Sequence, residues 1–167
     1  MISAIVAVDN NWGIGYNGNL LEHIPDDLKY FKQLTSNNMV VMGRKTWDSL
    51  PVKPLPDRLN IVITHIDSIN KEENVIFCNL ETAKLLVNNT CNSVSDAEIF
   101  IIGGGLIYKE FFDMYDRIYV TKILKDHDNV DTFFSNLDEM EEWSPAMCSS
   151  IYQYNDLSYQ FWQYDRI

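Results

Sequence analysis

Apolar residues fall into a few dense runs separated by stretches whose spacing is helical or turn-like. Ile2 to Val8, Met39 to Met42, Leu59 to Thr64 and Ile99 to Ile102 are short and almost continuously apolar, the pattern of strands covered on both faces. After Pro25 the spacing changes: Leu28, Phe31 and Leu34 form a helical stripe, and Pro25 suits a first helical turn because its missing N–H is not needed there. Asn79 is a suitable N-cap for a second helix from about Leu80 to Val87, and Ile107, Tyr108, Phe111 and Phe112 mark another. Further strands are expected near Val75 to Phe77 and from Arg117 to Leu124. Ile151 to Tyr154 and Tyr159 to Tyr164, joined by Asn155-Asp156-Leu157-Ser158, read as an antiparallel hairpin at a sheet edge. Strands alternating with helices and closed by this hairpin predict an α/β fold, one domain over residues 1–167, with a mixed, mainly parallel central sheet flanked by helices.

The breaks between these elements carry the chemistry. Asp9 to Asn19 is rich in Asn and Gly and exceeds the ~2–6 residues that usually connect a strand to a helix, so a mobile lid is expected there. Gly43-Arg44-Lys45-Thr46 follows a strand directly, and combines a helix start with a forked cation as an anion site would; two solvated basic residues in a turn would give the same letters. Gly103-Gly104-Gly105 leaves another buried strand and either lets a phosphate or ring approach the backbone or makes a tight turn. Pro51, Pro54 and Pro56 stiffen a segment bracketed by Lys53 and Arg58. No G-x-x-x-x-G-K-[ST] and no G-x-G-x-x-G of the common dinucleotide fold is present.

Asp27 is the residue whose placement matters most. Helical spacing sets it beside Phe31 and Leu34, whereas Asp26 falls with Lys29 and Gln33 on the wet side. A carboxylate on an apolar face needs a polar partner, and burial raises its proton affinity, the way general acids and ligand anchors are made. An acid that merely favours the helix dipole is the plainer reading of this helix alone.

Composition narrows the classes. With 24 acidic and 13 basic residues the net charge is −11, which argues against general affinity for nucleic acid or anionic membranes, so an anionic ligand needs a local basic site. The first apolar run is too short for a signal segment and no stretch is long enough to span a bilayer, so a cytoplasmic protein is expected. Cys78, Cys91 and Cys148 make no C-x-x-C, and His23, His65 and His127 show no metal-ligand spacing, so free thiols and no metal are expected.

The buried first strand, the Pro25-x-Asp27 helix, Gly43-Arg44-Lys45-Thr46, Pro54-Leu55-Pro56 with Arg58, and Ile102-Gly103-Gly104-Gly105 occur in an order that resembles the dihydrofolate reductase family from Met1 to the C-terminal hairpin. The resemblance implies a monomer that binds NADPH, dihydrofolate and antifolate-type molecules, and transfers a hydride to pterin C6 while N5 takes a proton. It implies a role in one-carbon metabolism and thymidylate synthesis. Asp27 matches the active-site carboxylate that holds the pterin and favours its protonation, and Thr121 the hydroxyl that supports it. Ile5, Val6, Ala7, Leu28, Phe31, Leu50, Leu55 and Ile102 match the apolar pocket around the pterin and aminobenzoyl groups. Tyr108 falls near the nicotinamide end, Arg58 matches the clamp on the glutamate α-carboxylate, and Lys53 is a looser second cation. For the cofactor, Arg44, Thr64 and His65 resemble the 2′-phosphate site, with Lys45 and Thr46 beside it. Gly43 and Gly103, Gly104, Gly105, Leu106 and Ile107 resemble the stretch along the pyrophosphate, and Ala7, Ile14 and Ile102 also lie on the cofactor side.

Three positions depart from the common family pattern. Glu22 stands where an aromatic is usual, and could either press on Asp27 by like charge or face solvent. Val130 replaces a frequent glycine in the loop that supports the lid, and Leu106 stands where some members carry Arg. Two other functions fit parts of the pattern: a pyrimidine reductase of flavin synthesis on the same scaffold, which gives Asp27 and Arg58 no pterin or glutamate to bind, and a nucleotide-binding module without catalysis.

Overall fold

The computed structural model describes residues 1–167. The apolar first run forms β1 (Ile2–Val8), and the lid expected after it folds into two short strands, β2 (Gly13–Tyr16) and β3 (Asn19–Leu20). Helix α1 (Pro25–Thr35) starts on Pro25, and leads to β4 (Met39–Gly43), α2 (Arg44–Ser49) and β5 (Leu59–Ile63). Next come β6 (Asn70–Glu72), β7 (Val75–Cys78), α3 (Leu80–Ser93), β8 (Ile99–Ile101) and α4 (Gly105–Glu110). The chain ends through β9 (Arg117–Ile123), β10 (Thr132–Phe133), β11 (Trp143–Cys148), β12 (Tyr152–Tyr154) and β13 (Leu157–Arg166). No helix is long and apolar enough to cross a membrane.

The main sheet runs β11-β13-β9-β1-β8-β4-β5-β7-β6, with β12 also on β13. Its centre is parallel: β1 pairs with β8 and β9, β4 with β8 and β5, and β5 with β7. The carboxyl ends of these strands therefore open on one side, where ligands bind in open α/β sheets. Antiparallel strands close both edges, β13 against β9 and β6 against β7. The lid strands form a separate small sheet, β10-β2-β3.

Strand alternation divides the core between the two faces of the sheet. Ala4, Val6 and Val8 join the larger core with Trp12, Tyr108, Phe111 and Tyr164. Ile5, Val40, Met42, Val62 and Phe100 face the other way, where Phe31 and Leu34 of α1 and Trp47 beside Leu50 cover them in part. This second face is the smaller core and the wall of a cleft.

Several boundaries differ from the sequence reading. Helix α3 runs to Ser93 instead of ending near Val87; its N-cap is the expected one, with Asn79 Oδ1 accepting from the Thr82 N–H at 2.9 Å. The polar run Asn88-Asn89-Thr90 hides that last part; within it Thr90 Oγ1 is satisfied by donating to the Leu86 carbonyl at 2.8 Å. Strands β6 and β11 were not expected, because edge strands with exposed side chains lack the apolar signal; Pro145 in β11 sits at a register shift. The hairpin is real but its turn is tighter, Asn155-Asp156 alone, with Asn155 at φ 51° as such turns require.

Candidate active site

Three elements converge on Asp27. Ile24, extended and 3 % exposed, anchors the start of α1, so that Asp27 looks back at the sheet. On the sheet, β1 and β9 lie in register with Ala7 opposite Thr121. Thr121 Oγ1 donates to Asp27 Oδ1 at 2.6 Å. Burial pushes the Asp27 carboxyl above its ordinary value, and the Thr121 hydroxyl pulls it partly back. Asp26 is exposed and pairs loosely with Lys29 at 3.8 Å, the split that helical spacing predicted. Of the expected apolar stripe, Phe31 and Leu34 pack inward while Leu28 is 44 % exposed, on the open mouth of the cleft.

The far end of the cleft is held by Arg58, which is 6 % exposed. Its Nε donates to the Pro56 carbonyl at 2.8 Å and its Nη1 to Thr35 Oγ1 at 3.0 Å, and its guanidinium lies 5.9 Å from the centre of the Phe31 ring. No carboxylate pairs with it, and burial lowers its proton affinity against the nearby Asp57 charge. A fixed guanidinium with donors to spare suits a carboxylate brought by a ligand. Asn60 sets this geometry: fully buried in β5, its Oδ1 accepts from Leu55 N–H at 3.0 Å and its Nδ2 donates to the carbonyls of Leu55 and Arg58, each at 3.0 Å. An Asn inside an apolar strand was the signal for this role, and the sequence reading passed over it.

On the other side of the strand ends, Gly43 N–H donates to the Gly103 carbonyl at 2.8 Å, so the chain turns after β4 and β8 abut. Gly103 has φ +117°, and its open side carries the Tyr108 ring, whose hydroxyl donates to the Ile5 carbonyl at 2.8 Å. A side chain on Gly43 would meet Ile107 at 3.0 Å, whereas one on Gly104 would meet only Thr46 Oγ1, at 3.6 Å. That is a hollow lined by main chain and a hydroxyl. Because Gly43 pairs with Ile63, Arg44 and Thr64 leave neighbouring strands together, with Lys45 and His65 exposed beside them. Arg44 Nε is held by Asp48 Oδ1 at 3.1 Å, which leaves its two amino groups free. This donor set and hollow fit an anionic dinucleotide. Leu106 is 70 % exposed and adds no donor, while Ile14 and Ile107 are buried where the lid meets the turn.

Two residues are turned from their expected positions. Val6 places its side chain in the larger core, because it alternates with Ile5 and Ala7, so only its main chain borders the cleft. Lys53 Nζ donates to the carbonyls of Trp47 and Asp48 at 3.4 and 3.2 Å, capping the end of α2 rather than facing the cleft beside Arg58.

The lid is tied down at several points. Asp131 Oδ2 accepts from Asn17 N–H at 2.8 Å, and a side chain on Gly13 would fall 2.7 Å from Val130 Cγ1, so Val130 rests directly on the lid strand. Glu22 neither presses on Asp27 nor stands free; its Oε1 takes His127 Nε2 at 2.9 Å and Lys125 Nζ at 3.1 Å. Burial pushes this carboxyl up, but its hydrogen bonds to His127 and Lys125, with the Lys125 charge, outweigh it and hold Glu22 below its ordinary range. Sequence reading assigned neither Asp9 nor His127 a part in the site.

A cleft that sets a hollow fitting an anionic dinucleotide beside a half-buried acid is the arrangement of a dinucleotide-dependent enzyme class. The family model for dihydrofolate reductase matches residues 1–166. The chain is 35 % identical to the dihydrofolate reductase of Bacillus subtilis (strain 168), over 99 % of its own length and 95 % of that protein's. It is 37 % identical to the dihydrofolate reductase of Schistosoma mansoni, over 98 % of this chain and 95 % of that one. It is also 38 % identical to the bifunctional dihydrofolate reductase-thymidylate synthase of Daucus carota, over 98 % of this chain but 33 % of that protein, so it spans about a third of the length of such bifunctional relatives. The chain belongs to the dihydrofolate reductase family, whose members are NADPH-dependent oxidoreductases.

Proposed function

We propose that this chain reduces 7,8-dihydrofolate to tetrahydrofolate with NADPH, and that on this reading it serves one-carbon metabolism and thymidylate synthesis in the cytoplasm. The observation that carries the reading is the Asp27–Thr121 pair, a carboxylate at 2.6 Å from one hydroxyl, on a cleft whose other end holds an unpaired guanidinium. Those two groups match the two ends of a pterin with a glutamate tail. NADPH, when bound, supplies the hydride that reaches pterin C6.

The chain's own residues do the rest. Asp27 accepts hydrogen bonds from the pterin N3 and 2-amino group, and its raised proton affinity lets it favour protonation at N5 near neutral pH. Thr121 fixes which oxygen faces the ring. Ile5, Ala7, Phe31, Leu50, Leu55 and Ile102 enclose the ring system and exclude water, Leu28 closes the mouth, and Arg58 holds the α-carboxylate. Arg44, Lys45, Thr64 and His65 take the 2′-phosphate, Thr46 and the three glycines border the pyrophosphate, and Ile14 and Tyr108 flank the nicotinamide.

The test is the fall of NADPH absorbance on adding dihydrofolate to purified protein, beside Asp27→Asn across pH. Rapid oxidation by the wild type, with a loss in the variant that eases in acid as the substrate takes its proton from solvent, supports the reaction and the role of the acid. NADPH binding without oxidation would overturn it.

A further inference from the structure

A single imidazole joins the two stems of the lid. The lid leaves β1 at Asp9 and returns to α1 through Glu22, and His127, on the loop between β9 and β10, touches both. Its Nδ1 lies 3.1 Å from Asp9 Oδ2 and its Nε2 2.9 Å from Glu22 Oε1. The His127 main-chain N–H adds a contact to the same Asp9 oxygen at 3.3 Å. Asp9 is the fixed post of the arrangement: it is 3 % exposed, and its other oxygen accepts the N–H groups of Asn11 and Gly13 at 3.0 and 2.8 Å. Glu22 is the movable one, held only by His127 and Lys125. His127's own loop carries further charged groups, Lys125, Asp128, and Asp126, which accepts from Asn11 Nδ2 at 3.4 Å.

A carboxylate only accepts, so both contacts are hydrogen bonds only while the ring carries both protons. A neutral ring donates to one carboxylate and sets its lone pair against the other. Glu22 lies a few residues before Asp27, in the extended stretch that leads into α1, and where it now sits burial and Thr121 are what set the proton affinity of Asp27.

We propose that His127 is a positioning residue: by bridging Asp9 and Glu22 it closes the stems of the lid into a ring, confines lid motion to the segment between them, and keeps the Glu22 charge off Asp27. The last clause rests on the reductase reading above; the first two do not. With the bridge broken, the mobile segment lengthens to the start of α1, and Glu22 is free to approach the acid.

The experiment is amide hydrogen exchange of the full chain without ligand, for the wild type, His127→Ala, His127→Gln and Glu22→Gln, together with the pH profile of NADPH oxidation by the same proteins and by the His127→Ala/Glu22→Gln double variant. Losing an ionic hydrogen bond at a locally opening segment should speed exchange across residues 10–24 by about tenfold in His127→Ala, with the central strands unchanged. His127→Gln, which keeps one donor, should recover part of the protection. In the rate profile His127→Ala should move the limb that reports Asp27 toward higher pH by like-charge repulsion, and the double variant should move it back.

Unchanged lid exchange in both His127 variants, or a rise spread evenly over the sheet, overturns the bridge. A rate profile that His127→Ala leaves unmoved overturns the link to Asp27. A wild type that does not oxidise NADPH strikes the reductase reading instead, and the ligand-free exchange still decides the bridge.

Discussion

Gly13 and Val130 form a fitted pair, and Gly13→Ala tests it. The Gly13 backbone lies outside the left-handed region, so alanine has no conformational objection there; the cost is contact alone. The new Cβ would lie 2.7 and 3.2 Å from the two Val130 methyls and 3.0 Å from Asp9 Oδ1. The first distance is far inside van der Waals range, and Asp9 cannot yield because it is buried and holds Asn11 and Gly13 itself. Overpacking of this kind costs about 1–3 kcal/mol. For a chain of this size that lowers Tm by roughly 2–12 °C, taking about 2–4 °C per kcal/mol. Removing the opposing methyls should restore the fit, so Gly13→Ala/Val130→Ala should recover most of the loss, with a coupling of about 1–3 kcal/mol between the sites. The assay is thermal and urea unfolding of the wild type, both single variants and the double variant. If Gly13→Ala is as stable as the wild type, or if its cost simply adds to that of Val130→Ala, the reasoning is wrong.

Arg58→Gln should raise KM for dihydrofolate by about tenfold or more, the worth of an ionic hydrogen bond, while leaving kcat nearly unchanged. A pteridine without the glutamate tail should bind the wild type and this variant alike, and a matching loss for that compound would count against the clamp. Asp27→Asn should also change stability. Burial raises the folded carboxyl above its ordinary value, so the fold binds this proton more tightly than the unfolded chain does, and ionising the group costs stability as pH rises through the folded value. The variant should therefore melt higher than the wild type at neutral and alkaline pH and lose that advantage in acid; a difference in Tm that stays constant with pH would refute this.

What could be read from the residues followed from how locally each feature is encoded. The central strands were legible because a strand covered on both faces is apolar at every position, and Asp27 because helical spacing is set within a few residues of Pro25. Strands β6 and β11 were silent because the edges of the sheet are wet, and their pairing is specified by β7 and β13 rather than by their own side chains. The role of Thr121 came only through the family resemblance, since its partner lies 94 positions away. His127 and Asp9 are farther apart still, 118 positions, and no spacing rule joins them; the one hint was an acid directly after an apolar strand. The Lys53 contact was hidden for a related reason. Proximity in sequence to Arg58 suggested a shared ligand, whereas the carbonyl end of α2 lay closer.

The cations of the cleft have a bearing on how fast ligands arrive. Arg44, Lys45 and Arg58 sit around strand ends on a chain whose net charge is −11, so an anionic ligand meets repulsion at a distance and attraction only on arrival. The two act over different lengths: at physiological salt screening sets in at about 8 Å, which removes the long-range part while leaving contacts at hydrogen-bond distance largely intact. Ligand capture on this reading should therefore be helped by moderate ionic strength, the reverse of steering by a protein whose surface charge is opposite to its ligand's. Its discrimination among anions is made within the last few ångströms of approach, by groups such as Arg58 that are already held in place.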